Sequence, residues 1–193
     1  MLHLKVPAGV ENGDLLLASI TFDSGAAPMP LNGWTLVPNA TATSSSHAQT
    51  SVWYHIADHE PDGYTWHWGT TADAAGGMTA WRGVDTANPF DVTAATANGT
   101  GANATAPSIT TVTAFSELIS VFGGGDANSQ EFTAPNDEDG EVSVIGGPVS
   151  GTWFAHLVAA KLQREPGATS PEVASVTSGD WTAISIALKT LPH

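Results

Sequence analysis

From Ser51 to Ala57 the side chains alternate, with Val52, Tyr54 and Ile56 on one side and Trp53 and His55 on the other, which is the period of a β-strand. Glu60-Pro61-Asp62-Gly63 then has turn chemistry, proline presetting φ and glycine open to left-handed backbone. Tyr64, Trp66 and Trp68 share one face of the next run, with Thr65 and His67 opposite. After an Ala/Gly stretch that reads as flexible, Met78 to Val84 forms a third strand. Asp14 to Phe22 is almost continuously apolar, the pattern of a strand buried on both faces. Further strands are predicted at Trp34 to Val37, Glu117 to Phe122, Trp153 to Leu162 and Trp181 to Leu188. Asn39 to Gln49 reads as an exposed polar loop, Gly123-Gly124-Gly125 as a flexible break and Asn136 to Glu141 as an acidic loop.

Long helical periodicity is absent, and β-formers sit between Gly, Pro, Asn and Ser clusters. The expected fold is one all-β domain, an antiparallel, jelly-roll-like β-sandwich over residues 1–193. Thr93 to Ser108 holds no large apolar residue and reads as a linker or crossover between pseudo-halves 1–92 and 109–193. The halves echo each other. Gly13 to Phe22 matches Ser116 to Phe122, Trp53 to Trp68 matches Phe154 to Val176, and Met78 to Val84 matches Trp181 to Leu188. Internal duplication and chance similarity among strands both account for this. Duplication predicts two sheets that exchange strands, with an edge near the linker.

Charge narrows the partners. With 5 Lys plus Arg against 19 Asp plus Glu, the formal net charge is −14. Nucleic acid, which is bound by neutralising phosphates, is excluded as a partner, and anionic membrane surfaces are disfavoured. No cysteine is present, so disulfides, thiolate metal sites and a Cys nucleophile are ruled out. No run approaches the roughly 20 apolar residues of a membrane-spanning helix, so no membrane insertion is expected. Met1 to Val6 leads straight into a strand rather than a cleaved signal, which suits a virion protein or a domain of a longer secreted chain.

Three constellations carry candidate chemistry. Trp53, His55, Tyr64, Trp66 and Trp68, with Tyr54 beside them, can build a stacking platform for the apolar faces of sugar rings, or can fill the sandwich. Trp53 and His55, opposite the apolar face of their strand, are the better candidates for exposure. Asp126, Asn128, Asp137 and Asp139, with Asn136 and Glu138, are oxygen-rich in the manner of a structural calcium loop; the EF-hand glycine and closing glutamate are missing, and a solvated acidic loop is the alternative. His55, His59 and His67, near Asp58, Glu60 and Asp62, suit a transition metal by residue type but lie on separate strands and a turn. Arg82 is expected to pair with Asp85 or Asp91 and pin the following loop, with Phe90 packed over the sandwich end. No GxSxG is present and the carboxylates cluster in turns, so no enzyme activity is expected.

The order GDLLLASITF, GWTLV, VWYHIADHEPDGYTWHW, AWRGVDTANPFD, APSITT and DWTAISIAL resembles a β-sandwich module recurrent in phage tail or virion proteins and in actinobacterial-type bacterial surface proteins. The resemblance covers nearly the whole chain and implies a fold rather than a reaction. It implies a structural or surface module located on a virion or at the cell surface, a tail, fibre or capsid-decorating component whose partners are protein subunits or a host-surface glycan. A homo-oligomer fits the same picture. The alternative is a carbohydrate-binding module of a secreted bacterial protein.

Overall fold

The computed structural model describes residues 1–23, 25–45, 47–126, 131–147 and 152–191. The first half contributes β1 (Leu2–Lys5), β2 (Leu15–Asp23), β3 (Thr35–Thr43), β4 (Ala48–Ile56), β5 (Gly63–Trp66) and β6 (Ala74–Trp81). The second contributes β7 (Ala95–Ala106), β8 (Thr110–Thr111), β9 (Ser116–Asp126), β10 (Asp139–Gly146), β11 (Trp153–Gln163), β12 (Gly167–Ala168) and β13 (Glu172–Leu188). All pairings are antiparallel, and the chain is an all-β sandwich.

One sheet has the order β3-β4-β2-β6 and the other β10-β11-β9-β13-β7. The expected exchange of strands between sheets does not occur: each sheet is built from one contiguous half of the chain. With β7 set aside as an added edge strand, the four long strands of each half take the same places, β3-β4-β2-β6 matching β10-β11-β9-β13. The segments paired by sequence similarity, in β2 and β9, β4 and β11, and β6 and β13, are the equivalent strands.

The even and odd residues of β2 explain its unbroken apolar run. Leu15 and Leu17 face the other sheet, in a core with Val37, Val52, Ile119, Val121, Val158, Ile184 and Ile186. Leu16, Ala18, Ile20 and Phe22 face outward and are covered by Leu4 of β1, Trp66 of β5, Trp34 and Trp68. The small β1–β5 sheet is therefore a third layer over the first sheet. Phe122, Trp181 and Ala183 form an equivalent outer core on the second sheet, covered by Phe132.

Four segments depart from the sequence reading, for one shared reason: small residues mark close packing as well as flexibility. The supposed crossover 93–108 is largely a strand, since β7 takes its pairing from β13 and needs no large side chain of its own. The loop 39–49 is mostly strand, with Ala40 and Ala42 buried in the core and a register irregularity at positive-φ Asn39. The Ala/Gly stretch before Met78 is the start of β6, where Val142 of β10 fills the space a Cβ on Gly77 would need. The triple glycine lies inside β9. A Cβ on Gly123 would fall on the hydroxyls of Thr50 and Thr21, and one on Gly125 would press on the Phe154 ring.

Those hydroxyls belong to a buried polar belt across the middle of the interface. His156 of β11 reaches Ser19 through Nε2 at 2.8 Å and Thr21 through Nδ1 at 2.9 Å. Thr21 continues to Thr50 at 2.8 Å, Thr50 to Thr182 at 2.6 Å, and Thr182 donates to the carbonyl of Gly123 at 3.2 Å. Burial alone pushes the His156 imidazole down to about 3, so the ring is neutral.

Candidate functional site

Three of the residues singled out in the sequence, His55, Tyr64 and Trp66, converge around a residue outside that set. Trp34 follows the turn Asn32-Gly33, its amide donating to the carbonyl of Leu31 at 3.1 Å, and its ring lies over the outer face of the first sheet. The Tyr64 and Trp66 rings meet it edge-on, each at 5.2 Å between centroids, and the His55 ring lies 5.4 Å away at 32°. Strand alternation supplies this arrangement. His55 is on the outward face of β4, and Tyr64 and Trp66 are on one face of β5.

Glu60 closes the cluster. Its Oε2 accepts from the Tyr64 hydroxyl at 2.6 Å, while Oε1 accepts from the Asp58 amide at 2.8 Å and from His55 Nε2 at 3.0 Å. Burial would raise the Glu60 carboxyl, but these three donors outweigh it and hold it below its ordinary value. The same burial and the neighbouring Glu60 push the Tyr64 phenol up. Nδ1 of His55 faces the carbonyl of Gly33 at 2.8 Å, so both ring nitrogens point at oxygens of the cluster. The result is a pin: β4, the turn before β3, the turn before β5 and β5 itself are held by one carboxylate and one indole.

The five sequence candidates therefore separate. Trp66 is 1% exposed and Trp68 9%, and both belong to the outer core. Tyr64 is half-buried with its hydroxyl committed to Glu60, and His55 is half-buried with both nitrogens committed. Trp53, half-buried at the margin of the same core, pairs in the strands with Ala18 and Leu36. Trp34 escaped the sequence reading because it lies far from this segment along the chain; the Asn32-Gly33 turn that aims it was its one local signal.

The acidic loop divides in the same way. Asn128 and the side chain of Asp126 lie outside the described residues, Asp137 is bound by Lys161 at 2.9 Å, and Asp139 is exposed at the start of β10. Among the described residues no group of three or more His, Asp or Glu is arranged to hold a metal ion. His59 pairs with Asp58 at 2.6 Å, and His67 is exposed. Glu138, taken in sequence for part of the solvated loop, is instead 8% exposed; one oxygen accepts from Ser120 at 2.9 Å and the other is buried without a partner. Burial, reinforced by the charge of Glu172, pushes Glu138 up to about 7.

Arg82 corrects a further expectation. It does not pair with Asp85 or Asp91; Asp85 is taken by Lys189 at 2.9 Å and Asp91 accepts from the Val112 amide at 2.7 Å. Arg82 forks onto Asp14, with Nε 3.0 Å from Oδ1 and a terminal nitrogen 2.9 Å from Oδ2. The β2–β6 register sets Leu15 opposite Trp81, which brings the two neighbouring residues together. Phe90 packs over the core as expected, edge-on to Tyr54 at 5.1 Å.

No protein-family model, curated protein or solved structure matches the chain.

Proposed function

We propose that this chain is a non-enzymatic structural module of a surface assembly, a virion component of the tail, fibre or capsid-decorating kind that joins protein neighbours or attaches the particle to a host surface. One observation carries the reading: the side chains best suited to hold a ligand hold one another. Both oxygens of Glu60 and both nitrogens of His55 are occupied within the cluster. Trp34 is walled in by three rings. A sugar would have to displace these contacts before making its own, whereas a scaffold is made rigid by them. The acidic balance and the resemblance of GDLLLASITF and AWRGVD to surface modules support the same role.

Carbohydrate recognition is the second reading, favoured by Trp53 and His55, which remain half-exposed on the outer face of the first sheet. Titration with bacterial wall and capsular polysaccharides, followed by tryptophan emission with and without calcium, separates the two. The structural reading expects no saturable shift. A saturable shift lost in Trp53→Ala overturns it in favour of a glycan-binding module.

A further inference from the structure

We propose that the free edge of β7 is a self-pairing surface and that its occupant is β7 of a second copy, running antiparallel across a twofold axis. The proposal rests on the structural reading above and names the partner.

The two edges of the second sheet are unlike. At the β10 edge the strand is pressed against β6 of the facing sheet: Val142 fills the hollow at Gly77, and a Cβ on Gly146 would fall on the Ala74 carbonyl. β7 pairs with β13 on one side, and among the described residues no strand pairs with it on the other. β3 approaches it from the facing sheet, with Asn39 donating to the carbonyl of Ala94 just before the strand begins. An antiparallel strand paired on one side turns every second amide and carbonyl outward. Edges of this kind are ordinarily blunted by Lys, Pro or an inward charge. From Ala95 to Ala106 the chain has none of these, and it carries no charged residue or histidine from Val92 to Ser116.

Charge then selects the occupant. Two copies at −14 each repel wherever their carboxylates meet, and this uncharged strand is where they can approach without that cost. Its side chains, Thr, Asn, Ala and Gly, leave room for a neighbouring strand, and Thr96, Asn98, Thr100, Ala102 and Asn103 are exposed.

The sequence of the strand fixes the register. ATAN-GTGA-NATA reads the same from both ends over its outer four residues. Antiparallel twofold pairing centred between Thr100 and Gly101 sets Thr96 opposite Thr105 of the second copy, Ala97 opposite Ala104, and Asn98 opposite Asn103. In a regular strand this register is forbidden, because residues 96 and 105 would point to opposite faces. The strand is not regular. Gly101 has φ +117, and the pairing with β13 steps from Gly101↔Gly179 to Asn103↔Ser175, one residue of β7 standing against three of β13. The alternation of β7 switches across this break, so Ala97 packs into the same outer core as Ala104 and Ala106. The irregularity brings the matching arms of the inverted repeat onto matching faces, as the symmetric pairing requires.

The test is a charge swap read by sedimentation equilibrium over a concentration series. The protein is expected to show a concentration-dependent monomer–dimer equilibrium. Thr96→Asp combined with Thr105→Asp puts carboxylates directly opposite each other and should weaken dimerisation by roughly tenfold or more, while circular dichroism stays unchanged. Thr96→Lys combined with Thr105→Asp puts opposite charges in the same places and should restore it. A dimer indifferent to both pairs, or one weakened equally by both, overturns the β7 register. A monomer at all concentrations overturns self-pairing but leaves the structural role with a different protein partner. Polysaccharide binding would instead overturn that role whatever the state of association.

Discussion

Nδ1 of His156 on β11 lies 2.9 Å from the hydroxyl of Thr21 on β2, joining the two sheets at the centre of their interface. The chain of bonds beyond Thr21 fixes the direction of this one. It ends on the Gly123 carbonyl, which only accepts, so Thr182 donates there; each hydroxyl has one proton, so Thr50 donates to Thr182 and Thr21 to Thr50. Thr21 must then accept from Nδ1–H of His156, leaving Nε2 to accept from Ser19.

Nitrogen NMR of the histidine rings should therefore show His156 as the Nδ1–H tautomer; an Nε2–H ring would reverse the bonds from Ser19 through Thr182 and take the Thr182 proton away from the Gly123 carbonyl. Thr50→Val removes the middle link and leaves Thr21 and Thr182 short of a partner, at a cost of about 1–3 kcal/mol in denaturant unfolding. Gly123→Ala should destabilise by a similar amount, about 1–3 kcal/mol, by overpacking against the three hydroxyls. Unchanged stability in both variants would mean that the belt contributes nothing.

The pH dependence of stability follows from two buried groups that act in opposite senses. His156 falls from its ordinary 6.5 to about 3 in the folded protein, so the unfolded chain binds the extra proton between those values and stability is lost as pH falls through them. Glu138 rises from 4.5 to about 7, so the folded protein holds the extra proton and stability is lost as pH rises from 4.5 through 7. Between 4.5 and 6.5 the two slopes oppose each other. Glu138→Gln removes one of them. The variant's stability relative to the parent should climb from pH 5 to pH 8 by about 1–3 kcal/mol, and its acid limb should steepen. A parallel shift at all pH values would show that Glu138 does not titrate in this range.

The fork between Arg82 and Asp14 gives a third test. The Arg82 hydrogen bonds hold the Asp14 carboxyl below its ordinary 3.8, so the pair adds stability above that value and loses it as pH falls through the lower folded one. Arg82→Ala leaves a buried carboxylate with its backbone bond from Glu11 alone and should lower stability in denaturant unfolding at pH 7, and less so near pH 3. Arg82→Lys cannot reproduce the two-pronged geometry and should recover only part of the loss.

Much of the fold was legible because alternation and turn chemistry are local. The two faces of β4, the doubly buried β2 and the turn at Glu60-Pro61 follow from adjacent residues. Small residues were misread because their meaning is set at a distance: Gly123 is dictated by Thr21, Thr50 and Thr182, and Gly77 by Val142. The candidate site was half legible for the same reason. His55, Glu60 and Tyr64 are close in the chain, but Trp34, the ring they surround, is brought in by β3, and Asp14 reaches Arg82 only through the β2–β6 register. A loop carboxylate such as Glu138 gives no sign in sequence that it will be buried.

The same cluster yields a test in which stability, rather than binding, is the readout. Tyr64→Phe keeps the ring against Trp34 and deletes only the hydroxyl that donates to Glu60 Oε2. A hydrogen bond to a charged acceptor contributes about 1.5–3 kcal/mol, and the half-buried setting favours the lower end. Glu60→Gln retains one acceptor but cannot satisfy Tyr64, His55 and the Asp58 amide together, so it should cost at least as much. Because both changes break the same bond, the double variant should be less destabilised than the sum of the two. Strict additivity would mean that Tyr64 and Glu60 act separately, and the pin would then have to rest on Trp34 and His55 alone.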